Sequence, residues 1–230
     1  MVHTGMKEGN ISGSENTYIS GEVRVKHLEG KLWRSMMGPF GGCFALRSDY
    51  YSPVPPNFLV DDFFLCMKVL EKGGGTISDL NAVCHEEVSQ KIEEEFRRKA
   101  RIAAGNFQNM SYFKHLWWPP FNWTAFAFIS HKILRWLGPF FLGGILSGSF
   151  FMGLYGNKFQ QGLFFLSLFV FFGLPLLHLG LKRFGIYNKL LTDVHYFLWM
   201  HLALLKGFLN YLYGIKSNIW RPTSRDQHKS

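Results

Sequence analysis

The chain has only three cysteines, no signal-peptide pattern and no nucleic-acid-binding motif. Cys43, Cys66 and Cys84 are odd in number and lack the paired spacing of a zinc site, so we expect reduced thiols that face the cytosol. The opening residues are polar and rich in glycine and serine, so no cleavable leader is expected. The net charge of +9 would suit nucleic acid, but without an accompanying motif we expect no nucleic-acid partner.

Acidic residues nearly vanish from the C-terminal half of the chain. From residue 116 onward only Asp193 and Asp226 are acidic, and Phe, Leu, Trp and Gly crowd the same region. Aromatic residues make up 17% of the chain, a share that is typical of a bilayer or its interface. We therefore expect a soluble-type domain over residues 1–115 and a membrane domain over residues 116–230.

The membrane domain contains apolar segments of different character. Residues 121–136 mix basic and apolar side chains and are predicted to lie in the membrane interface. Residues 137–155 and 162–181 lack Asp, Glu, Lys and Arg and are long enough to cross the hydrocarbon core. A last segment, 195–213, carries polar side chains that are costly at bilayer depth. Two crossings would keep both residues 1–115 and the basic C-terminal tail in the cytoplasm, whereas three crossings, the alternative, would not.

Two adjacent carboxylates, Asp61 and Asp62, begin an amphipathic helical pattern. The apolar residues that follow at helical spacing are Phe63, Met67 and Leu70. The glycine run at 73–75 is the expected end of this helix. Either carboxylate could cap the exposed amides at the helix N-terminus. We expect one of them to cap the helix and the other to point into a cleft.

The residues before this helix predict turns and short strands. Residues 38–47 read as a glycine turn that enters a strand, and residues 76–83 as a second strand. The pair Gly41-Gly42 either allows a ligand or another backbone to approach closely or simply forms a tight turn.

Glu22, Lys26 and Glu29 lie at helical spacing within residues 15–32. They predict a short helix with one face paired at i, i+4 and i, i+3. That face is either a solvated, ion-paired surface or a contact for a substrate.

A second amphipathic pattern follows a potential cap at Ser89. Its apolar stripe consists of Phe96, Ala100, Ala103 and Phe107, and its polar side chains include Arg97, Arg98, Arg101 and Gln108. The basic run is either a solvated face or a support for a diphosphate, because planar guanidinium groups pair well with phosphate oxygens.

These motifs, taken in order, resemble the membrane-linked family-2 glycosyltransferases. The resemblance rests on Gly41-Gly42-Cys43-Phe44-Ala45-Leu46-Arg47, on Asp61-Asp62-Phe63 and on Arg97-Arg98-Lys99-Ala100-Arg101-Ile102 with Gln108. It implies an α/β fold: the C-terminal part of a GT-A domain, followed by an interfacial helix and two or three transmembrane helices. It also implies a hexosyltransferase that makes a polysaccharide or glycolipid from a nucleotide-sugar donor and a lipid or glycan acceptor.

The resemblance implies roles for individual residues as well. Asp62 would be the catalytic base. Asp61 would cap the helix beside it and is the second residue assigned to the catalytic site. Arg98, Arg101, Arg97, Gln108, Gly41 and Gly42 would bind substrate. Arg98 and Ile102 replace the Gln and Trp of the family pattern, so transfer of one or a few sugars fits as well as processive synthesis.

The Asp-x-Asp motif of the family, which holds the metal and the nucleotide sugar, does not occur before Asp61. The resemblance therefore implies that a Mg or Mn ion is bound only with a donor-binding half, and that residues 1–230 hold no metal themselves. We expect a fragment, a truncated product or one part of a split enzyme, inactive by itself, with a separate chain that carries the donor-binding half. The alternative is a non-catalytic membrane scaffold or subunit derived from such an enzyme.

Overall fold

The computed structural model describes residues 2–4, 12–87 and 92–215, and most of them are helical. The α-helices are α1 Ser12–Trp33, α2 Asp61–Glu71, α3 Ile92–Tyr112, α4 Lys114–Trp117, α5 Trp123–Ala127, α6 Leu134–Trp136, α7 Gly138–Tyr155, α8 Lys158–Leu168, α9 Leu174–Arg183 and α10 Lys189–Leu212. The π-helical stretch Phe128–Ile133 joins α5 to α6, and Phe169–Gly173 joins α8 to α9. A 3-10 turn covers Ser48–Tyr50. The predicted cap Ser89 lies outside the described residues.

The α/β GT-A fold expected from the resemblance is wrong. Across the described ranges, β structure is limited to a parallel pair, β1 Val2–Thr4 with β2 His85–Glu87, and one isolated bridge between Ser35 and Thr76. The strand predicted over 76–83 has no ladder beyond that bridge, and residues 38–47 form a turn and irregular chain. A strand needs a neighbour for its backbone N–H and C=O groups, and a short apolar run does not guarantee one.

Helix α2 forms as its apolar spacing predicts. Phe63, Phe64 and Met67 are buried in the core between α2, α3 and the α5–α6 segment. The helix ends in a Schellman motif, in which the Gly74 amide donates to the carbonyl of Val69 at 2.9 Å and the Gly73 amide to that of Leu70 at 3.0 Å. Gly73 has a φ of +74°, so the glycine run is the stop signal that the pattern predicted.

Helix α1 confirms the predicted helix and packs against the segment before the first long apolar helix. The rings of Trp33 and Trp123 stack with centroids 5.4 Å apart. Just beyond the helix, the hydroxyl groups of Ser35 and Thr124 lie 2.9 Å apart in a hydrogen bond. The end of α1 is therefore fixed to the start of α5, 89 positions later in the chain.

Helix α10 packs along α3. A Cβ at Gly207 would contact Ala103 and lie 2.6 Å from the carbonyl oxygen of Ala100, so only glycine allows this approach. Phe107 packs edge-on against Phe208 with ring centroids 5.0 Å apart. The weakly apolar segment near the C-terminus thus covers the apolar stripe of α3.

Among the residues that the structure describes, two helices are long and apolar enough to cross a membrane: Gly138–Tyr155, and the continuous helix Lys158–Arg183. In each helix only 6% of the apolar stretch is buried within the protein. Neither helix is therefore packed on all sides like the core helix of a soluble domain. The turn between them is tight, because Asn157 and Gln160 form a capping box at the start of α8. These two helices coincide with the two apolar runs from which the sequence predicts crossings. Helix α10 packs along α3 and also contacts both of them, with Phe208 against Phe140 and His195 against His178.

Candidate acid–base site at the start of helix α2

The carboxylate of Asp62 is half-buried, whereas that of Asp61 is exposed. Asp62 Oδ1 accepts a hydrogen bond from the Phe63 amide at 2.7 Å. The N-cap residue is Val60, which supplies no side-chain cap. The prediction that Asp61 caps the helix is therefore wrong: Asp62 itself binds a first-turn amide, because its side chain folds back over the helix start.

Gly41 lies directly against Asp62. A Cβ at Gly41 would lie 2.7 Å from Asp62 Oδ2, so a side chain there would displace the carboxylate. Gly42 is exposed in the same turn, which the Cys43 amide closes by donating to the carbonyl of Phe40 at 3.1 Å. The glycine pair thus forms a tight turn, and that turn also brings backbone close to the candidate base.

Two opposing effects set the charge of Asp62. Burial raises its pKa above the ordinary range, and the neighbouring Asp61 acts in the same direction. The Phe63 amide and the positive charge of Lys26 oppose that rise. A carboxyl group with a raised pKa can accept a proton from a hydroxyl group near neutral pH.

Lys26 connects the turn to helix α1. Its Nζ donates to the carbonyl of Pro39 at 3.2 Å and lies 3.8 Å above the centre of the Phe40 ring. The same ammonium lies 3.7 Å from Oε1 of Glu22. The predicted i, i+4 pair is confirmed, but both side chains are buried instead of solvated.

Glu22 is the centre of a buried network that we call the Glu22 cluster, made of Glu22, Lys26, Glu29, His131, Lys132 and Arg135. Lys132 Nζ lies 2.6 Å from Glu22 Oε1, and Arg135 Nη1 lies 2.6 Å from Glu22 Oε2. His131 places one ring nitrogen 3.0 Å from Glu22 and the other 2.7 Å from Glu29. The segment 121–136, predicted to lie in the membrane interface, thus contributes His131 to an internal network.

The cluster holds charge inside the protein by mutual compensation. Burial alone would raise the pKa of Glu22, but Lys132, His131 and Arg135 outweigh it and hold that pKa well below the ordinary range. Burial lowers the pKa of Lys132 to about 7 against the attraction of Glu22. The sequence showed acids at helical spacing in α1 and basic residues before the first long apolar helix. Their complementary charge was the only signal that the two sets meet.

The basic residues of α3 have separate surroundings. Arg98 makes a two-pronged contact with Glu95, with Nε and Nη2 each 2.8 Å from a carboxylate oxygen, and Glu95 is fully buried. Lys99 Nζ adds a second cation, 3.2 Å from Glu95. Arg97 is exposed, and Arg101 is partly buried. The basic run therefore contains two kinds of position. Arg98 is paired with the buried Glu95, whereas Arg97 is exposed on the surface of α3.

Gln108 holds the chain that leads into α2. Its Oε1 accepts from the Leu59 amide at 3.2 Å, and its Nε2 donates to the carbonyl of Asn57 at 3.0 Å. Gly105 packs against Val60, with 2.5 Å from a Cβ built at Gly105 to Val60 Cγ2. Arg101 lies one helical turn before Gly105. The contact between Gly105 and Val60 places the start of α2 beside α3, with no element inserted between them.

The structure brings only part of the predicted site together. Asp62, Gly41 and Lys26 form one group, and Gln108 supports it through the residues before α2. Within residues 12–87 and 92–215, Asp62 makes no ion pair with a side chain of α3. The substrate-binding roles of Arg97, Arg98 and Arg101 therefore remain predictions.

A cavity of about 510 Å³ lies beside this group. It is bounded by the loop after Pro39, one face of α2 and the chain from Gly75 to Cys84; all three cysteines line it, and all are free thiols. Phe40 and Cys43, which flank the glycine pair, line it as well. Among the described residues, no group of three His, Cys, Asp or Glu side chains could hold a metal ion.

No protein-family model, curated protein or solved structure matches the chain. A function is therefore inferred from the geometry and chemistry of the site.

Proposed function

We propose that the chain is the base-bearing portion of a membrane-bound inverting glycosyltransferase, with Asp62 as the general base. The observation that carries this proposal is the position of Asp62: a half-buried carboxylate at a helix start, against the backbone of Gly41 and near the cation Lys26. Among the described residues no side chain forms an ion pair with this carboxylate, so its charge is available for proton transfer.

The reaction needs one proton transfer and one displacement. Asp62 takes the proton of an acceptor hydroxyl as that oxygen forms a bond to the anomeric carbon of the donor sugar. The bond from that carbon to the diphosphate oxygen breaks on the opposite face, which inverts the configuration. The electron pair leaves with the nucleoside diphosphate, whose charge Arg97 and Arg101 would stabilise. Arg98 pairs with the buried Glu95 on the same helix.

The membrane helices support a lipid or glycan acceptor. Arg135 of the Glu22 cluster lies three residues before Gly138, where the first long apolar helix begins. The cluster therefore ties the region of Asp62 to the end of a helix suited to lipid. In this proposal, the donor is a nucleotide sugar, and a separate chain supplies the donor-binding half together with its divalent metal.

The second candidate is a non-catalytic membrane scaffold. Arg98 and Gln108, two residues assigned to substrate by resemblance, both use their polar groups for internal contacts. A scaffold needs those contacts for folding and has no use for the charge of Asp62. The two candidates therefore differ in what happens when only that charge is removed.

The deciding experiment replaces Asp62 by Asn in the chromosomal gene of the native cell, so that every natural partner is present. Isolated membranes are supplied with a panel of radiolabelled nucleotide sugars, and label is counted in lipid extracts and in glycan. We expect Asp62→Asn to lower incorporation by about 100-fold or more at unchanged protein level. Asp49→Asn, a change at an exposed carboxylate that does not line the cavity, is the matched control and should keep wild-type incorporation. Wild-type incorporation in Asp62→Asn, or in a strain that lacks the gene, would rule out the transferase.

A further inference from the structure

Lys26 is a buried cation with directed contacts to two different parts of the chain. Its side chain is only 4% exposed. The ammonium donates to the carbonyl of Pro39 at 3.2 Å, lies 3.8 Å from the centre of the Phe40 ring and lies 3.7 Å from Glu22. A lysine of a solvated helix face would reach into water, so this burial requires a specific cause.

The charged groups around Lys26 come from several elements. Glu22 lies on its own helix, Asp62 and Cys66 on α2, Lys132 on the π-helical stretch and Arg135 on α6. Asp62 in turn faces Asp61 on its own helix and Lys26 across the turn. Lys26 therefore stands between one carboxylate that is fully committed to the Glu22 cluster and another that has no ion pair of its own among the described residues.

We propose that Lys26 is a positioning residue for Asp62: its ammonium fixes the glycine turn against the carboxylate, and its positive charge favours the ionised form of Asp62. The inference rests on the proposed role of Asp62 as the general base. It adds a residue to that site which the motifs did not assign, and it gives the Glu22 cluster a role in the chemistry.

The mechanical part of the proposal follows from the hydrogen bond to Pro39. Pro39 is two residues before Gly41, and Gly41 is the residue whose backbone abuts Asp62 Oδ2. Lys26 thereby holds the turn from the side of helix α1. Glu22 holds Lys26, and Lys132 and Arg135 hold Glu22, so the position of the turn is linked to the segment that enters the first long apolar helix.

The electrostatic part follows from the burial of Asp62. Burial raises the pKa of this carboxyl group, and a protonated carboxyl group cannot accept a proton from an acceptor. The nearby ammonium opposes the rise, because an opposite charge favours the ionised form. A neutral residue at position 26 would leave the Phe63 amide to oppose the burial effect without the ammonium and would raise the pKa of Asp62 further.

The test measures the ionisation of Asp62 without requiring activity. The full chain in lipid nanodiscs is treated with a carbodiimide and an amine at a series of pH values, and labelling of Asp62 is followed by peptide mass spectrometry. Asp61, on the same peptide and exposed, is the internal reference. Lys26→Met removes both the charge and the hydrogen bond, Lys26→Gln keeps a donor for Pro39, and Lys26→Arg keeps the charge.

We expect both neutral variants to move the midpoint of Asp62 labelling upward by about one pH unit or more, and Lys26→Arg to stay near the wild type. Lys72→Met is the matched control, since this exposed lysine bonds only the Asp49 and Tyr51 carbonyls, and it should leave the midpoint unchanged. In native membranes, the acidic limb of the transfer rate should move upward with the same variants. Lys26→Gln provides the readout if Lys26→Met does not fold.

An unchanged midpoint for Asp62 in a folded neutral variant would overturn the proposal and leave Lys26 with a purely structural role. A shifted midpoint combined with no gene-dependent sugar transfer would keep the positioning role and reject the transferase. The two failures are therefore distinguishable.

Discussion

Lys132 Nζ donates to Glu22 Oε1 at 2.6 Å, although 110 positions separate the two residues in the chain. Both side chains are almost completely buried. The contact joins the soluble-type region to the segment before the first long apolar helix. A buried ion pair is costly to break, because the remaining partner keeps its charge without compensation.

Replacement of Glu22 should therefore destabilise the protein strongly. We expect Glu22→Gln to lower the free energy of unfolding by about 3–5 kcal/mol, since three cations would lose their common partner. Glu93→Gln, at an exposed acid in the first turn of α3, should change it by less than about 0.5 kcal/mol. Denaturant unfolding in a mild detergent, followed by circular dichroism, gives both values. Equal effects of the two changes would mean that the cluster contributes no stability.

The same cluster predicts how stability depends on pH. The pKa of Glu22 in the folded protein lies well below its ordinary value of 4.5. A carboxyl group of this kind contributes stability above its unfolded pKa, and that contribution is lost as the pH falls. We expect the free energy of unfolding of the wild type to fall steadily below about pH 5. The free energy of unfolding of Glu22→Gln should fall less steeply over the same range. A Glu22→Gln profile parallel to the wild type would contradict this assignment.

The close contact between α10 and α3 predicts opposite effects for two glycine substitutions. Gly207→Ala should destabilise by about 1–3 kcal/mol, because its methyl group would collide with Ala103 and the Ala100 carbonyl. Gly21→Ala, in α1 with open space around it, should stabilise by up to about 1 kcal/mol. Thermal unfolding of both variants measures the difference. A neutral Gly207→Ala would show that α10 does not pack on α3 in this way.

Gln108 offers a direct test of a role in folding. In Gln108→Ala, the Leu59 amide and the Asn57 carbonyl both lose their partner, which should cost about 1–3 kcal/mol. Gln108→Glu keeps the acceptor for Leu59 and should cost less. Unfolding measurements without any substrate decide the matter, because a residue that only binds substrate would show no effect in either variant.

The two long apolar helices predict a topology. With two crossings, the Gly156–Asn157 turn lies outside the cell, while residues 12–87 lie inside. A cysteine introduced by Lys158→Cys should react with an impermeant thiol reagent in sealed cells, and the exposed Cys43 should react only after lysis. Mass spectrometry identifies the labelled positions. Labelling of Cys43 in intact cells would show that residues 12–87 lie outside and that the predicted orientation is wrong.

Local patterns predicted the elements that depend on neighbours in the chain. The spacing of Phe63 and Met67 with the glycine run gave α2 and its end, and the two long apolar runs gave two helices suited to a membrane. These features follow from helical periodicity and local hydrogen bonding, which short stretches of sequence specify. The strand predicted over 76–83 failed, because a strand depends on a partner that sequence periodicity does not reveal.

The amino-acid sequence by itself determined which helices form, where α2 ends and which segments are apolar enough for lipid. Only the tertiary structure decided that Glu22 meets Lys132, that Lys26 lies beside the turn facing Asp62, and that Glu95, the partner of Arg98, is buried. The physical reason is that the energy of a charge depends on its burial and on partners brought from distant parts of the chain. Neither is readable from the order of residues alone.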